Sequence, residues 1–535
     1  MKKWEIINKS QTEDIIPILL DNRELKTKKE VDEFLHPLDP FILTPFDVDI
    51  SKTSLKQALT RIKKAISDRE SIVVYADYDA DGITAGAIMW EALHALGAQV
   101  MPYIPHRVEE GYGLSQKGID TIKEQYNPTL IITVDHGITA KEKVAYAKEL
   151  GIDVIITDHH VKPEKLPECT IIHTTKLAGS GISWFVAKEL LSPKKDDELL
   201  VLAAIGTIAD MVPLVGPNRS IAKYGLAAIN TTHRVGLEAL MADAGLTNGA
   251  LGTYEISHIL APRLNAMGRL VHAMDALRLL CTKQKEKAVA LAQKLGLTNK
   301  ERQQMTVETT LHARELAKLG TKLLFVSHES YNQGVIGLVA GKLVEEFYRP
   351  AIVVSKGDVM SKASARSIAG FNIVEAIRSC SDILIDVGGH PMAAGFTIET
   401  KNLTILQERL EKLADEALDV GKLERLLRID AEIPLNAVTE ELWQKIRDFE
   451  PFGFGSPEPV FATRGVVVDD LRLIGTEGKH LKLKIQGKDA VGFGMGKLYG
   501  QIQSSKPIDI AYTIDMNTWN GRRSLQLKIK DIHVE

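Results

Sequence analysis

Ile72-Val73-Val74-Tyr75-Ala76-Asp77-Tyr78-Asp79-Ala80-Asp81-Gly82 is the stretch that decides the fold. An apolar run of strand character ends abruptly in three alternating aspartates and a glycine. The pattern returns twice: Leu130-Ile131-Ile132-Thr133-Val134 runs into Asp135-His136-Gly137, and Val154-Ile155-Ile156-Thr157 runs into Asp158-His159-His160. Strands of an open α/β sheet end at one rim, and ligands bind at that rim. Five Asp and three His therefore converge on one place. Clustered carboxylates force each other's pKa upward. Divalent cations relieve the conflict, and an oxygen-rich site with a few imidazoles suits Mn, Mg or Zn.

The first cluster superficially matches a calcium loop, but an EF-hand needs Glu at the twelfth position, and that position counted from Asp77 is Ile88. A further acidic candidate is Asp210, isolated in the apolar stretch Ala204–Leu214; a charge there is costly unless paired or metal-bound. These groups suffice for a two-metal phosphoesterase, in which cations about 3.5–4 Å apart activate water and clamp the phosphate. Asp135 is the expected bridging ligand. Asp77, Asp79, Asp81, His159 and Asp210 complete the metal set, and His160 is expected to donate to the phosphate or the leaving oxygen. Successive residues on an extended strand point oppositely, so His159 and His160 share one metal only if the strand turns there.

Around this centre the pattern implies several domains, since 535 residues exceed one core. Residues 1–55 are polar and Pro-punctuated, an amino-terminal arm. Residues 56–215 alternate strand and helix, which implies a doubly wound, mostly parallel sheet. Residues 216–320 read as a helical connector, with one or two long helices over Thr282–Leu319. A second α/β domain spans 321–418. From 431 to 535, short strands separated by Gly and Asn-Gly turns suggest a small barrel such as an OB-fold. No apolar stretch reaches membrane-spanning length, and the amino terminus lacks the apolar core of a secretory signal. Cys169, Cys281 and Cys380 are too few and too scattered for a disulfide framework, which fits a reducing cytoplasm. The net charge of −4 disfavours a nucleic-acid partner, but residues 461–535 hold 12 Lys and Arg against 8 Asp and Glu, a net of +4, so the remainder carries −8. A basic tail joined to an acidic metal centre suits a nuclease.

The Asp-Tyr-Asp-Ala-Asp-Gly and Asp-His-His segments resemble the signature motifs of the DHH phosphoesterase family. Ile104–Gly113, Ala261–Arg269, Ser364–Ser367, Gly388–Gly395 and Glu450–Gly455 are similar, in order, to segments of its RecJ single-stranded-DNA exonucleases. The resemblance spans about residues 50–535. It implies two α/β domains, the DHH phosphoesterase and DHH-associated domains, joined by a long helix around a central cleft, with a carboxy-terminal OB-fold. It implies processive 5′→3′ hydrolysis of single-stranded DNA to mononucleotides with two Mn2+ or Mg2+ ions. It also implies a setting in DNA repair and recombination, behind a helicase and beside single-strand-binding protein, and a monomer suffices for it. Asp77, Asp79, Asp81, Asp135, His159 and Asp210 match metal ligands, and His160 the catalytic or phosphate-contacting histidine. Arg107, Arg269, Ser364 and Arg366 match contacts to the DNA 5′ end and backbone; His136, Arg263 and Asn265 are added to that group. Three positions depart from the family pattern: His136 stands where Asn or Cys is common, Asn332 where His is usual, and Ser456 where Asn is frequent.

Physically, Gly388 and Gly389 let backbone approach a phosphate and His390 supplies a donor. Arg366 between Ser364 and Ser367 offers a guanidinium fork with hydroxyls. The last domain mixes Lys479, Lys482, Lys484, Arg522 and Arg523 with Phe493, Tyr512 and Trp519, the combination that binds single strands by stacking and phosphate neutralisation. Among these, Lys482, Trp519, Arg522 and Arg523 are the expected contacts, with the Asn520-Gly521 hairpin tip the strongest. Two rival functions remain from sequence: a related phosphodiesterase acting on short oligonucleotides, and a non-catalytic DNA-binding scaffold. The basic tail disfavours the first and the intact acidic set the second.

Overall fold

The computed structural model describes residues 2–9, 14–191, 197–247, 249, 251–503, 506–519 and 522–534. They form two units, one made of residues up to His36, Val420–Phe452 and Ser456 onward, the other of Pro37–Asp419 with Gly453–Gly455. Among the described residues, no helix is long and apolar enough to cross a membrane.

The larger unit is built on two sheets. The first is five-stranded and all parallel, in the order Gln99–Tyr103, Ser71–Ala76, Leu130–Val134, Asp153–Asp158, Thr170–His173. Its inner strands are buried on both faces, so they read as continuous apolar runs. Register brings the acidic residues to one level. Ala76 pairs with Val134, and Val134 with Thr157, so Asp77, Asp135 and Asp158 stand at one level at the strand ends. The helix Ala80–Ala95 starts here with Asp79 as its N-cap, the carboxylate accepting from the Asp81 and Gly82 amides. It is apolar around most of its circumference because the helices Gly179–Leu191 and Asp197–Ala209 pack against it.

The connector holds several short helices, including Ala261–Leu270, before one 32-residue helix, Lys285–Leu316. The second sheet runs Leu384–His390, Ala393–Glu399, Met360–Arg366, Ala351–Ser355, Leu324–His328. Gly388-Gly389-His390 lies inside the strand: Gly389 pairs with Ala394 and His390 with Ala393. A Cβ on Gly389 would sit 2.3 Å from the Ala393 carbonyl, so the glycine serves strand apposition.

In the smaller unit, eight strands follow the order Lys3–Asn8, Leu426–Glu432, Phe461–Val466, Ile508–Trp519, Arg522–Val534, Lys488–Gly492, His480–Ile485, Val468–Ile474. Residues 1–55, expected as one arm, divide between the units. Lys3–Asn8 adds a parallel strand to Leu426–Glu432, driven by alternation that sets Trp4 and Ile6 against Leu427 and Val460. Ile15, Ile18, Leu19 and Phe34 enter the same unit's main core, whereas Val48 and Ile50 belong to the core of the parallel sheet.

Candidate metal centre and phosphate site

Three triads of donor atoms, each within 4.8 Å of one another, overlap at the rim: Asp77–Asp79–Asp135, Asp81–His159–Asp210 and Asp135–His159–His160. Asp135 belongs to two of them. Its backbone is left-handed, φ 68°, a conformation that costs energy for a non-glycine residue and recurs at functional sites. Gly179 makes room for it, since a Cβ there would lie 2.5 Å from Asp135 Oδ1. Asp81 is held at the start of helix Gly179–Leu191: its Oδ2 accepts the Gly179 amide at 2.6 Å and its Oδ1 the Ser180 amide at 3.0 Å. The chain turns after Asp158, so the rings of His159 and His160 lie 4.5 Å apart rather than pointing oppositely.

The electrostatics are those of a site missing positive charge. Burial, then Asp79, raises the Asp77 pKa well above the carboxylate range; burial, then Asp81, raises that of Asp79. Burial followed by Asp81, Asp79 and Asp210 does the same to Asp135, and burial and the neighbouring aspartates push Asp210 up to about 9. Burial lowers His159, keeping it neutral and able to ligate. The donor set fits divalent cations on a further ground. Asp135 Oδ1 and His159 Nε2 are buried, 3.2 Å apart, and neither has a hydrogen-bond partner among the described residues. A buried acceptor without a donor costs about 1–3 kcal/mol, and a cation between such atoms removes that cost.

His160 is tuned differently. Its Nδ1 meets Asp158 Oδ1 at 2.8 Å. Burial opposes the imidazolium, but the hydrogen bond and charge of Asp158, with Asp77 and Asp79 beyond, outweigh it and raise the His160 pKa. Asp158 is pinned from the other side by the Ile138 amide at 2.8 Å. Burial works against its anion too, yet the bond to His160 holds its carboxyl far below the usual range.

Comparison with known proteins agrees with this geometry. Residues 71–207 match the model of the DHH family N-terminal domain, 320–420 the DHHA1 domain and 429–531 the RecJ OB domain. The single-stranded-DNA-specific exonuclease RecJ of Bacillus subtilis is 39% identical over 99% of this chain and 71% of its own length. The chain belongs to the RecJ family. The Escherichia coli RecJ is 31% identical over 90% of each protein. A crystal structure of Thermus thermophilus RecJ in complex with Mn2+ superposes with a TM-score of 0.84 at 29% identity, covering 99% of this chain and 79% of that one. Another, of an exonuclease RecJ bound to manganese, gives 0.61 at 35% identity, covering 68% and 95%.

In this RecJ chain four arginines gather beside the acidic rim. Arg107 lies over the Tyr78 ring at 4.8 Å. Arg269 donates to the Gly334 carbonyl at 3.2 Å. Burial, then Arg107, Arg302 and Arg366, push its pKa down to about 10. Arg366, whose Nη1 donates to Ser364 Oγ at 3.3 Å, is lowered by burial and by Arg107. Like charges held together under partial burial are a phosphate site in waiting. His390 faces the rim from the second sheet, its exposed ring 6.5 Å from that of His160 and nearly parallel to it.

Other expected contacts are engaged elsewhere. His136 is 1% exposed, bonds the Tyr75 carbonyl at 2.9 Å, and burial pushes its pKa down to about 4; its imidazole is buried beneath the rim. Asn265 accepts the Ala80 amide at 2.7 Å, which fixes the aspartate loop. Arg263 donates to the Ile259 carbonyl and lies 3.7 Å from Asp243, in a pocket of about 620 Å³ with Lys300 and Gln303. In the carboxy-terminal sheet Tyr512 is buried, Lys482 pairs with Asp489 at 3.7 Å, and Arg523 lies over Trp443 at 5.8 Å. Asn520, Gly521 and the side chains of Trp519 and Arg522 lie outside the described residues. Sequence reasoning left out three groups: the orienting role of Asp158, the Tyr78 ring under Arg107, and Arg302, on the long helix Lys285–Leu316.

Proposed function

We infer that this chain is a metal-dependent exonuclease of single-stranded DNA. The observation that carries it is the juxtaposition, in one unit, of an uncompensated carboxylate cluster with four clustered arginines. The first attracts cations and the second attracts phosphate. The RecJ relatives are named for the same activity, and T. thermophilus RecJ is crystallised with Mn2+ and with Mg2+.

Asp77 and Asp79 would hold one Mn2+ or Mg2+, His159 and Asp210 the other, with Asp135 shared and Asp81 supporting the second. Bound there, the cations supply water of lowered pKa and neutralise the scissile phosphate. The residues do the rest. Asp158 fixes the His160 proton on Nδ1 and favours the imidazolium, so Nε2–H is free to donate to a non-bridging or leaving oxygen. Arg107, Arg269 and Arg366 with Ser364 hold the terminal phosphate of the strand, which sets the register of cleavage. A terminal-phosphate site of this kind supports release of mononucleotides from the 5′ end. Its setting is repair and recombination in the cytoplasm, where a helicase exposes the strand and single-strand-binding protein covers it. A monomer is sufficient, because both halves of the site come from one chain.

The test uses single-stranded DNA about 40 nucleotides long, labelled at either end, with Mn2+, Mg2+ or EDTA. Early mononucleotide release from the 5′ end, absent with EDTA, is expected. Retained binding without cleavage in either metal would overturn the exonuclease assignment.

A further inference from the structure

The helix Lys285–Leu316 packs against two shorter ones, Val235–Asp243 and Ala261–Leu270. Between them lies a pocket of about 620 Å³, lined by residues of all three. None of the lining residues belongs to the acidic rim or to the arginine cluster. The volume suits a small organic ligand, since such pockets run from about 300 to 1,000 Å³.

The polar groups that line it are left with bonds to make. Arg263 donates through Nη1 to the Ile259 carbonyl at 2.9 Å, but its buried Nε has no hydrogen-bond partner and stands 3.7 Å from Asp243 Oδ2. Lys300 is exposed and forms no ion pair among the described residues, whereas Lys294, earlier on the same helix, is held by Asp275 at 2.6 Å. Asn299 is 4% exposed, and its Oδ1 accepts from Arg302 Nε at 3.2 Å. That bond fixes which amide atom is which, and the NH2 group has no partner among the described residues. The amides of Gln293 and Gln303 are exposed and equally unbonded among the described residues. Asp243 reaches the long helix because position 296 is glycine: a Cβ there would lie 2.2 Å from Asp243 Oδ2. Leu297 adds an apolar side chain that is 70% exposed.

This mixture matches one kind of ligand. A guanidinium and an ammonium take a phosphate. Carboxamides offer donors and acceptors to the edge of a base. A carboxylate only accepts, so it opposes a phosphate but suits the hydroxyls of a sugar. An inorganic anion would leave most of the volume empty and the carboxamides unused.

We propose that this pocket binds a nucleoside phosphate, with Arg263 and Lys300 on the phosphate, Asp243 on the ribose hydroxyls and the carboxamides on the base. The site is separate from the cleavage centre and goes beyond the exonuclease reading. It favours a ribonucleotide over the deoxynucleotide released by cleavage, because a 2′-deoxy sugar offers Asp243 one hydroxyl fewer.

The test is calorimetry on the full chain in EDTA, with AMP, dAMP and inorganic phosphate as probes; without metal, the result does not depend on cleavage. AMP is expected to bind, and Lys300→Glu to weaken it about 10-fold or more, a change of about 1.4 kcal/mol. Gln303→Ala should weaken AMP about 3- to 10-fold, the value of one hydrogen bond, and leave phosphate binding unchanged. The wild type should hold dAMP about 3- to 10-fold less tightly than AMP, on the same ground. Arg366→Ala should retain AMP binding, since Arg366 lies in the other cluster. Absence of AMP binding at millimolar concentration overturns the proposal. So does wild-type AMP affinity in Lys300→Glu, or loss of AMP binding in Arg366→Ala, which would place the nucleotide in the cleft. Inorganic phosphate binding as tightly as AMP overturns recognition of a nucleoside, and dAMP binding as tightly as AMP overturns the ribose contact.

Discussion

At the rim of the parallel sheet, Asp77, Asp135 and Asp81 are 3% exposed or less and, with Asp79 and Asp210, have no Lys or Arg at ion-pair distance among the described residues. In the carboxy-terminal sheet, Arg464 meets Glu432 at 3.0 Å and Asp509 at 2.7 Å, with Arg464 and Glu432 exposed and Asp509 half-buried. Folding alone favours the second arrangement, because burying charge without a partner is costly, while exposed pairs cost and contribute little. The rim keeps its unfavourable charges because something outside the chain completes them. Removing a charge should therefore have opposite consequences in the two regions.

The largest effect is expected at Asp135. Asp135→Ala should reduce turnover by about a thousand-fold or more, roughly 4 kcal/mol of transition-state stabilisation, while leaving 40-mer binding largely intact. Single-turnover cleavage and anisotropy check the two halves, and wild-type-like turnover would sink the assignment of Asp135 as the shared ligand. Next comes pH. In the metal-free protein Asp77, Asp79, Asp135 and Asp210 titrate above their unfolded values, Asp210 at about 9. Between the unfolded and folded pKa values the folded state holds more protons, so stability falls as pH rises. The Tm in EDTA should drop between pH 6 and pH 8.5, and saturating Mn2+ should recover most of the loss at the higher pH. A Tm in EDTA that climbs over that interval would mean the rim is already compensated.

The convergence of the rim was legible in the sequence because the cause is local. Apolar runs buried on both faces mark parallel strands, and the residues just past each run must lie at the carboxy edge. The roles that escaped detection depend on distant partners. Asn265 contacts Ala80 across 185 residues, and nothing near it shows that its acceptor is already used. His136 sits one residue beyond a rim aspartate, yet its side chain turns inward to the Tyr75 carbonyl. Lys482 reads as a free cation until strand pairing sets Lys484 opposite Asp489 and brings that carboxylate within reach of Lys482 as well. The amino-terminal strand was missed because six residues of alternating pattern mean little until Leu426–Glu432 offers an edge.

A milder effect is expected at the arginine cluster. Arg366→Lys keeps the charge but loses the planar fork beside Ser364. Its KM for a 5′-phosphorylated strand should rise about 10- to 100-fold, with a much smaller change for a strand bearing a 5′-hydroxyl. Equal losses on both strands would show that the arginine contacts the strand somewhere other than its terminal phosphate.

The smallest effect provides the control for the whole contrast. Arg464→Ala removes a cation held by two carboxylates and stacked 4.8 Å over Trp4. Its side chain is 43% exposed, so solvent already screens the pairs, and the expected cost is about 1 kcal/mol or less, read as a small shift in Tm. Turnover on the 40-mer should stay at the wild-type level, since nothing in the proposed chemistry uses this group. A large loss of stability would mean that paired charges in this unit matter as much to the fold as the buried rim does to the chemistry. The distinction between compensated and uncompensated charge would then no longer separate structural sites from reactive ones.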